Sequence, residues 1–184
     1  MNDETEPQDQ AETHDSPEPL DVMRKVFQDE EFNFEEDEDT LSFRLGLKNV
    51  DVTVLCSGRA NDLANIFVLL PIRAAEEFRA NTGEFLHRLN YVARRMSWEM
   101  DYNDGEIRFV SAADTIAGPL TEAHFRRILH SMVVTADIVF PYLTSVLSGR
   151  MTPDILRMSA PVAFPATLST FPVSYEALSR GCCR

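Results

Sequence analysis

The residues of this chain whose types could do catalysis are its histidines, one acid pair and its cysteines. His87, His124 and His130 lie in its body and His14 near its start. A zinc hydrolase sets two imidazoles one helical turn apart with a glutamate between them. No histidine pair here has that spacing, and His124 and His130 fall on different faces of one helix. Asp101 and Glu106 flank an Asp-Gly step and could be read as a general acid and base, but turn chemistry and hairpin register account for both. No Gly-x-Ser-x-Gly elbow and no glycine-rich phosphate loop occurs. Cys56 falls on the inward side of an alternating stretch, where a small buried thiol is common. Cys182 and Cys183 form neither a Cys-x-x-Cys motif nor a prenylation box. The expectation is a non-enzyme, with no catalytic set, no cofactor site and no metal site.

The chain has 184 residues and a net charge of −13. The charge is uneven. Residues 1–39 hold only two bases, Arg24 and Lys25, among many acids, and the rest is close to neutral. An acidic balance argues against nucleic acid and anionic membrane, which both reward Lys and Arg. The most apolar run, 131–147, is interrupted by Asp137 and Pro141, so no membrane helix is expected. The acidic start lacks the positive region of a signal peptide. A cytoplasmic location with reduced thiols follows as an expectation.

Three parts are expected. Residues 1–19 form an acidic tail too polar to offset its ordering entropy. Residues 20–158 form one α+β domain. Residues 159–184, with two Phe-Pro steps, form a loose tail or one laid along the surface.

Within the domain, Leu20, Val22, Met23, Val26 and Phe27 space as a short helix. The acid run from Glu35 to Asp39 reads as a solvated turn. Leu41, Phe43, Leu45 and Leu47 alternate as one half-buried strand, and Val50, Val52, Val54 and Cys56 as a second. Leu63 to Leu70 is almost continuously apolar, the mark of a central strand covered on both faces, with Pro71 ending it. Residues 74–96 read as a helix with Phe78, Phe85, Leu89, Val92 and Met96 on one face. Gly83 weakens its middle, which a close approach by another element would explain. Asp104-Gly105 centres a two-residue hairpin turn that pairs Asp101 with Arg108 and Met100 with Phe109. Thr121 opens a long helix to Leu147, kinked by Pro141 near Asp137. A short helix from Pro153 to about Met158 follows.

Several stretches occur in a telling order: Leu69-Leu-Pro-Ile, Phe85-Leu-His-Arg-Leu-Asn90, Trp98-Glu-Met-Asp-Tyr-Asn-Asp-Gly-Glu-Ile-Arg-Phe109, Pro119-Leu-Thr121, Asp137-Ile-Val-Phe-Pro141 and Leu147-Ser-Gly-Arg-Met-Thr-Pro153. Together they resemble the YbjN family of bacterial regulators over about residues 20–158. The resemblance implies a type III secretion chaperone-like fold, with helices on an antiparallel sheet in the order α-β-β-β-α-β-β-α. It also implies a regulatory or chaperone-like role without a known reaction. The acidic head and the Phe-Pro tail lie outside the family pattern, and a glycine expected before Trp98 is missing.

The first functional expectation is therefore a binding module for a protein client or regulatory partner, in a possible homodimer. Its candidate client or dimer faces are Phe78, Phe85, Leu89 and Val92 on the helix and Leu41, Phe43 and Leu45 on the first strand. Asn90, Trp98, Asp101, Asp104, Gly105, Glu106, Asp137 and Pro141 are structural motif residues. Asn90 is placed to bond a neighbouring strand, and Asp137 to accept from a group freed by the kink. The alternative is a small-ligand sensor or enzyme with a pocket between the long helix and the sheet, lined by Trp98, Tyr102 and Phe109.

Overall fold

A computed structural model of the chain describes residues 17–59, 62–93, 95–116 and 118–153. The acidic head up to residue 16, most of the helix expected after Thr152, the Phe-Pro tail and the Cys182–Cys183 pair lie outside them.

The elements run α1 (Pro19–Asp29), β1 (Phe34–Asp37), β2 (Thr40–Gly46), β3 (Asp51–Ser57), β4 (Leu63–Arg73), α2 (Glu76–Val92), β5 (Met96–Met100), β6 (Glu106–Asp114) and α3 (Glu122–Leu147). The strands form one six-stranded sheet in the order β1-β2-β3-β4-β6-β5, with every neighbouring pair antiparallel. This is the expected α+β architecture, with one more strand at its start.

That strand, β1, takes in Glu35, Glu36 and Asp37, which the sequence pattern assigns to a solvated turn. Phe34 anchors it. Phe27 of α1 meets Phe34 at 5.6 Å, Phe43 at 4.7 Å and Phe125 at 5.7 Å between ring centroids. Arg24 binds Glu36 from α1, and that hydrogen bond holds the Glu36 carboxyl below its usual range. A short acidic strand at a sheet edge also discourages pairing with another chain.

All three helices lie on one face of the sheet. Alternate strand residues, Leu41, Phe43 and Leu45 in β2, Val52, Val54 and Cys56 in β3, and Ile66 and Val68 in β4, share a single core with the apolar faces of the helices. Thr121 caps α3 by accepting from the His124 amide at 3.2 Å. By length and hydropathy α3 is long and apolar enough to cross a membrane, contrary to the expectation from the sequence. In this fold it is the central core helix, burying Phe125, Leu129, Met132, Val133, Ala136 and Leu143.

Three boundaries differ from the sequence pattern. β4 continues through Pro71 to Arg73, because a break in register between Leu69 and Arg73 accommodates the missing amide. α2 ends at Val92, and Met96 begins β5 instead of extending the helical face. The hairpin pairs Trp98 with Phe109, Glu99 with Arg108 and Met100 with Ile107. The expected register is thus shifted by one pleat, which keeps the same residues on each face and changes their partners. The cause is the turn. Gly105 has φ +79°, while Asp104 does not enter the left-handed region that a two-residue turn with both central φ values positive requires. Residues 102–105 instead form a longer loop, closed by the Gly105 amide donating to the Asp101 carbonyl at 2.7 Å.

Candidate functional site

The motif residues converge on three places where a side chain or a close backbone contact locks one element to another. Asn90, near the end of α2, faces edge strand β5. Its Nδ2 donates to the Trp98 carbonyl at 2.9 Å, and its Oδ1 accepts from the Trp98 amide at 2.7 Å. The carboxamide thus pairs with the strand as another strand would, closing part of an edge. Trp98 is held from the other side by Phe109, stacked at 4.3 Å.

The second place is the tip of the β5–β6 hairpin. The Ala74 amide donates to the Gly105 carbonyl at 2.8 Å. Arg79 donates to the Tyr102 carbonyl at 2.9 Å and to that of Ala74 at 3.2 Å. Asp101 accepts from the Asn103 amide and Asp104 from the Glu106 amide, so both acids are turn formers. The Glu106 amide, with Arg73 beside it, holds the Asp104 carboxyl below its usual range. Tyr102 lies against Gly83 so closely that a Cβ there would meet its hydroxyl. This is the close approach that the glycine in the helix suggested. The cross-strand ion pair on the hairpin is Arg108 to Glu99 at 2.8 Å, in place of the expected Asp101.

The third place is the turn of α3 that precedes Pro141, inside a helix that runs unbroken from Glu122 to Leu147. Asp137 accepts from the Asn49 amide through Oδ1 at 2.6 Å, and the Asp137 carbonyl accepts from Asn49 Nδ2 at 3.1 Å. Asn49 sits between β2 and β3, so this pair ties that turn to α3.

The candidate partner faces fall differently. Phe85, Leu89, Leu41, Phe43 and Leu45 are buried in the core of the single chain. Phe78 is half-buried, and Val92 is exposed beside Tyr91. β2 and β3 are paired along both edges and offer no free edge for strand addition. Of the residues proposed to line a pocket, Trp98 and Phe109 fill the core with their own stacked rings, and Tyr102 lies on the hairpin loop with 59% exposure.

One surface was not singled out by the sequence pattern: the sheet face opposite the helices. Leu55, Phe67 and Val110 stand side by side on it, since Leu55 pairs with Phe67 and Phe67 with Val110. Leu69 follows Phe67 along β4, and Leu63 lies near the start of the same strand. Leu55, Phe67, Leu69 and Val110 are half-buried and Leu63 is 45% exposed. The Arg108 guanidinium lies over the Phe67 ring at 5.3 Å. Among the described residues no element covers this face. The signal was the apolar run from Leu63 to Leu70, which reads as a strand buried on both sides.

Titratable groups add little chemistry. Burial pushes the Cys56 thiol far up, which suppresses the reactive thiolate. Burial lowers His130, and burial with Arg127 and Arg95 nearby lowers His124. Among the described residues no group of His, Cys, Asp and Glu is placed to hold a metal ion.

No protein-family model matches the chain, and no curated protein matches it. Among solved structures, the chain is similar to YbjN from E. coli, described as "a putative transcription regulator". The identity is 13%, the TM-score is 0.52, and the match covers 71% of this chain and 90% of that one. The likeness establishes a shared fold, and the chain has a YbjN-like architecture.

Proposed function

We propose that the protein is a non-enzymatic binding module, a chaperone-like or regulatory adaptor that recognises an extended segment of a protein partner. The observation that carries this reading is the uncovered sheet face with Leu55, Phe67 and Val110 in one row. An apolar row on an open sheet face, with the Arg108 guanidinium over its central Phe67 ring, suits a segment that presents apolar groups along its length. The regulatory description of the YbjN structure accords with it. The motif residues Asn90, Asp101, Asp104 and Asp137 support it too, because each is engaged in holding the fold. Action inside the cell and self-association through the exposed Tyr91 and Val92 belong to the same proposal.

The test is a titration of the isotope-labelled full-length protein with a panel of extended apolar peptides, followed on its methyl signals. The expected result is saturable shifts at Leu55, Leu69 and Val110, with at least a tenfold loss of affinity in Phe67→Asp. Shifts confined to the helical face, or binding by the panel that Phe67→Asp leaves intact, would overturn the reading.

A further inference from the structure

The sequence of the sheet's centre and its surroundings disagree. β4 carries apolar residues on both sides, with Ala64, Ile66, Val68 and Leu70 facing the helices and Phe67 and Leu69 facing away. Leu55 in β3 and Val110 in β6 extend the outward row. Strands that read as near-continuous apolar runs are those covered on both faces. The described residues cover one.

Two segments of this chain lie outside the described residues at its ends. The head, 1–16, carries Asp3, Glu4, Glu6, Asp9, Glu12 and Asp15 and no base. Charges of one sign are costly to lay on an apolar surface. The other segment has the opposite character. From Met158 to Tyr175 there is no charged residue, and Val162, Phe164, Leu168, Phe171 and Val173 recur through it. Pro161, Pro165 and Pro172 favour an extended backbone, which lowers the entropy lost on docking.

The reach is sufficient. Gly149 lies against Phe78 in the first turn of α2, which follows directly on β4, so the chain leaves α3 at that end of the sheet. Residues 154–159, extended, span about 20 Å. Packed layers lie about 10 Å apart, so a layer on the far side of the sheet is two spacings, about 20 Å, from the helices, which residues 154–159 can span. The chain can therefore pass the end of the sheet and run along its far side.

We propose that residues 160–175 of the same chain dock on the open sheet face, with their phenylalanines against the row Leu55, Phe67 and Val110. The inference deepens the proposed function and rests on its surface: the protein's own segment is the resident occupant, and a partner segment must displace it. Competition of this kind sets a threshold on partner binding, since only the fraction of molecules with a free face can bind.

The test uses the full-length chain with a nitroxide at Ala166→Cys, in a Cys182→Ser, Cys183→Ser background. Cys56 can stay, because it is fully buried. The expected result is that the methyl signals of Leu55, Leu69 and Val110 lose more than half their intensity relative to the reduced label. The loss should be independent of protein concentration and should disappear in Phe164→Ser/Phe171→Ser, which leaves the described domain untouched. No intensity loss, or a loss centred on Ile138 and Val134 of the helical face, would overturn the proposal. So would a loss seen only between labelled and unlabelled chains in a mixture, which would assign the contact to a second copy. Docking in this assay with no peptide bound in the earlier titration, even to Phe164→Ser/Phe171→Ser, would leave the inference standing and remove the partner-binding reading. Peptide binding without docking would do the reverse.

Discussion

The carboxamide of Asn49 donates to the main-chain carbonyl of Asp137 at 3.1 Å, the acceptor that Pro141 leaves without a helical partner. In an α-helix that carbonyl would take the amide of the residue four positions on. Pro141 has none. Asn49 supplies the missing donor, and its own amide is accepted by the Asp137 side chain. The proline inside α3, by withholding one amide, therefore creates the attachment point for the β2–β3 turn.

This relationship predicts coupling between the two positions. Asn49→Ala removes one hydrogen bond and should cost about 1 kcal/mol in urea unfolding. In a Pro141→Ala background the restored amide can satisfy the Asp137 carbonyl, and the same substitution should cost clearly less. A double-mutant cycle reads the difference directly. Equal costs in both backgrounds would mean that the Asn49 side chain contributes nothing through this carbonyl.

Asn90 allows a sharper comparison, because it uses both a donor and an acceptor on Trp98. Asn90→Ala should lose about 2 kcal/mol, roughly the sum of two net hydrogen bonds. Asn90→Asp keeps the acceptor for the Trp98 amide but turns a carboxylate oxygen toward the Trp98 carbonyl. It should be at least as destabilised as Asn90→Ala at neutral pH and should recover as the carboxyl is protonated. Urea midpoints for both variants at neutral and mildly acid pH provide the check. A variant Asn90→Asp as stable as the native chain would show that the bond to the carbonyl carries no weight.

The order of elements and the inward residues were legible in the sequence, because period-2 and helical spacing follow directly from which side chains must be buried. Val52, Val54 and Cys56 are an instance, all buried as the alternation requires. What was not legible depended on partners distant in the chain. β1 is held by Phe27 and Arg24 across a separate element, and its acids alone resemble solvent-facing loop. The hairpin register depended on how Asp101 and Asp104 close the loop through their side chains, which the Asp-Gly step does not reveal. Asn49 has no local signature at all. The sheet's open face was present in the sequence as the apolar outward residues of β4, read as evidence of a covering layer.

Glycine substitutions separate two kinds of close approach. At Gly105 a Cβ would clash with the Ala74 carbonyl oxygen, and φ is +79°. Both the backbone conformation and a rigid neighbour oppose a side chain there, so Gly105→Ala should cost more than about 2 kcal/mol. At Gly83 the obstacle is the hydroxyl end of Tyr102, a side chain on an exposed loop that can move aside. Gly83→Ala should be near neutral, and in a Tyr102→Ala background it should stabilise by about 1 kcal/mol, the helix preference of Ala over Gly. Thermal and urea unfolding of Gly105→Ala, Gly83→Ala, Tyr102→Ala and Gly83→Ala/Tyr102→Ala tests the ranking, and a Gly83→Ala loss as large as that of Gly105→Ala would contradict it.

The histidines of α3 give a pH dependence whose sign can be stated. Burial lowers His130 below its ordinary 6.5, and burial together with Arg127 and Arg95 lowers His124. In the window between the unfolded value and each lower native value, the unfolded chain binds more protons than the folded one. Stability therefore rises with pH across that window and falls as the pH drops through 6.5. The depressed carboxyls of Glu36 and Asp104 act in a separate window, since their contribution is complete above 4.5 and is lost only as the pH falls through their lowered native values. Urea unfolding at about pH 7.5 and about pH 5.5 isolates the histidine part. The native chain should lose stability between the two, and His124→Gln/His130→Gln should flatten the change. An unaltered slope in the double variant would assign it to other groups.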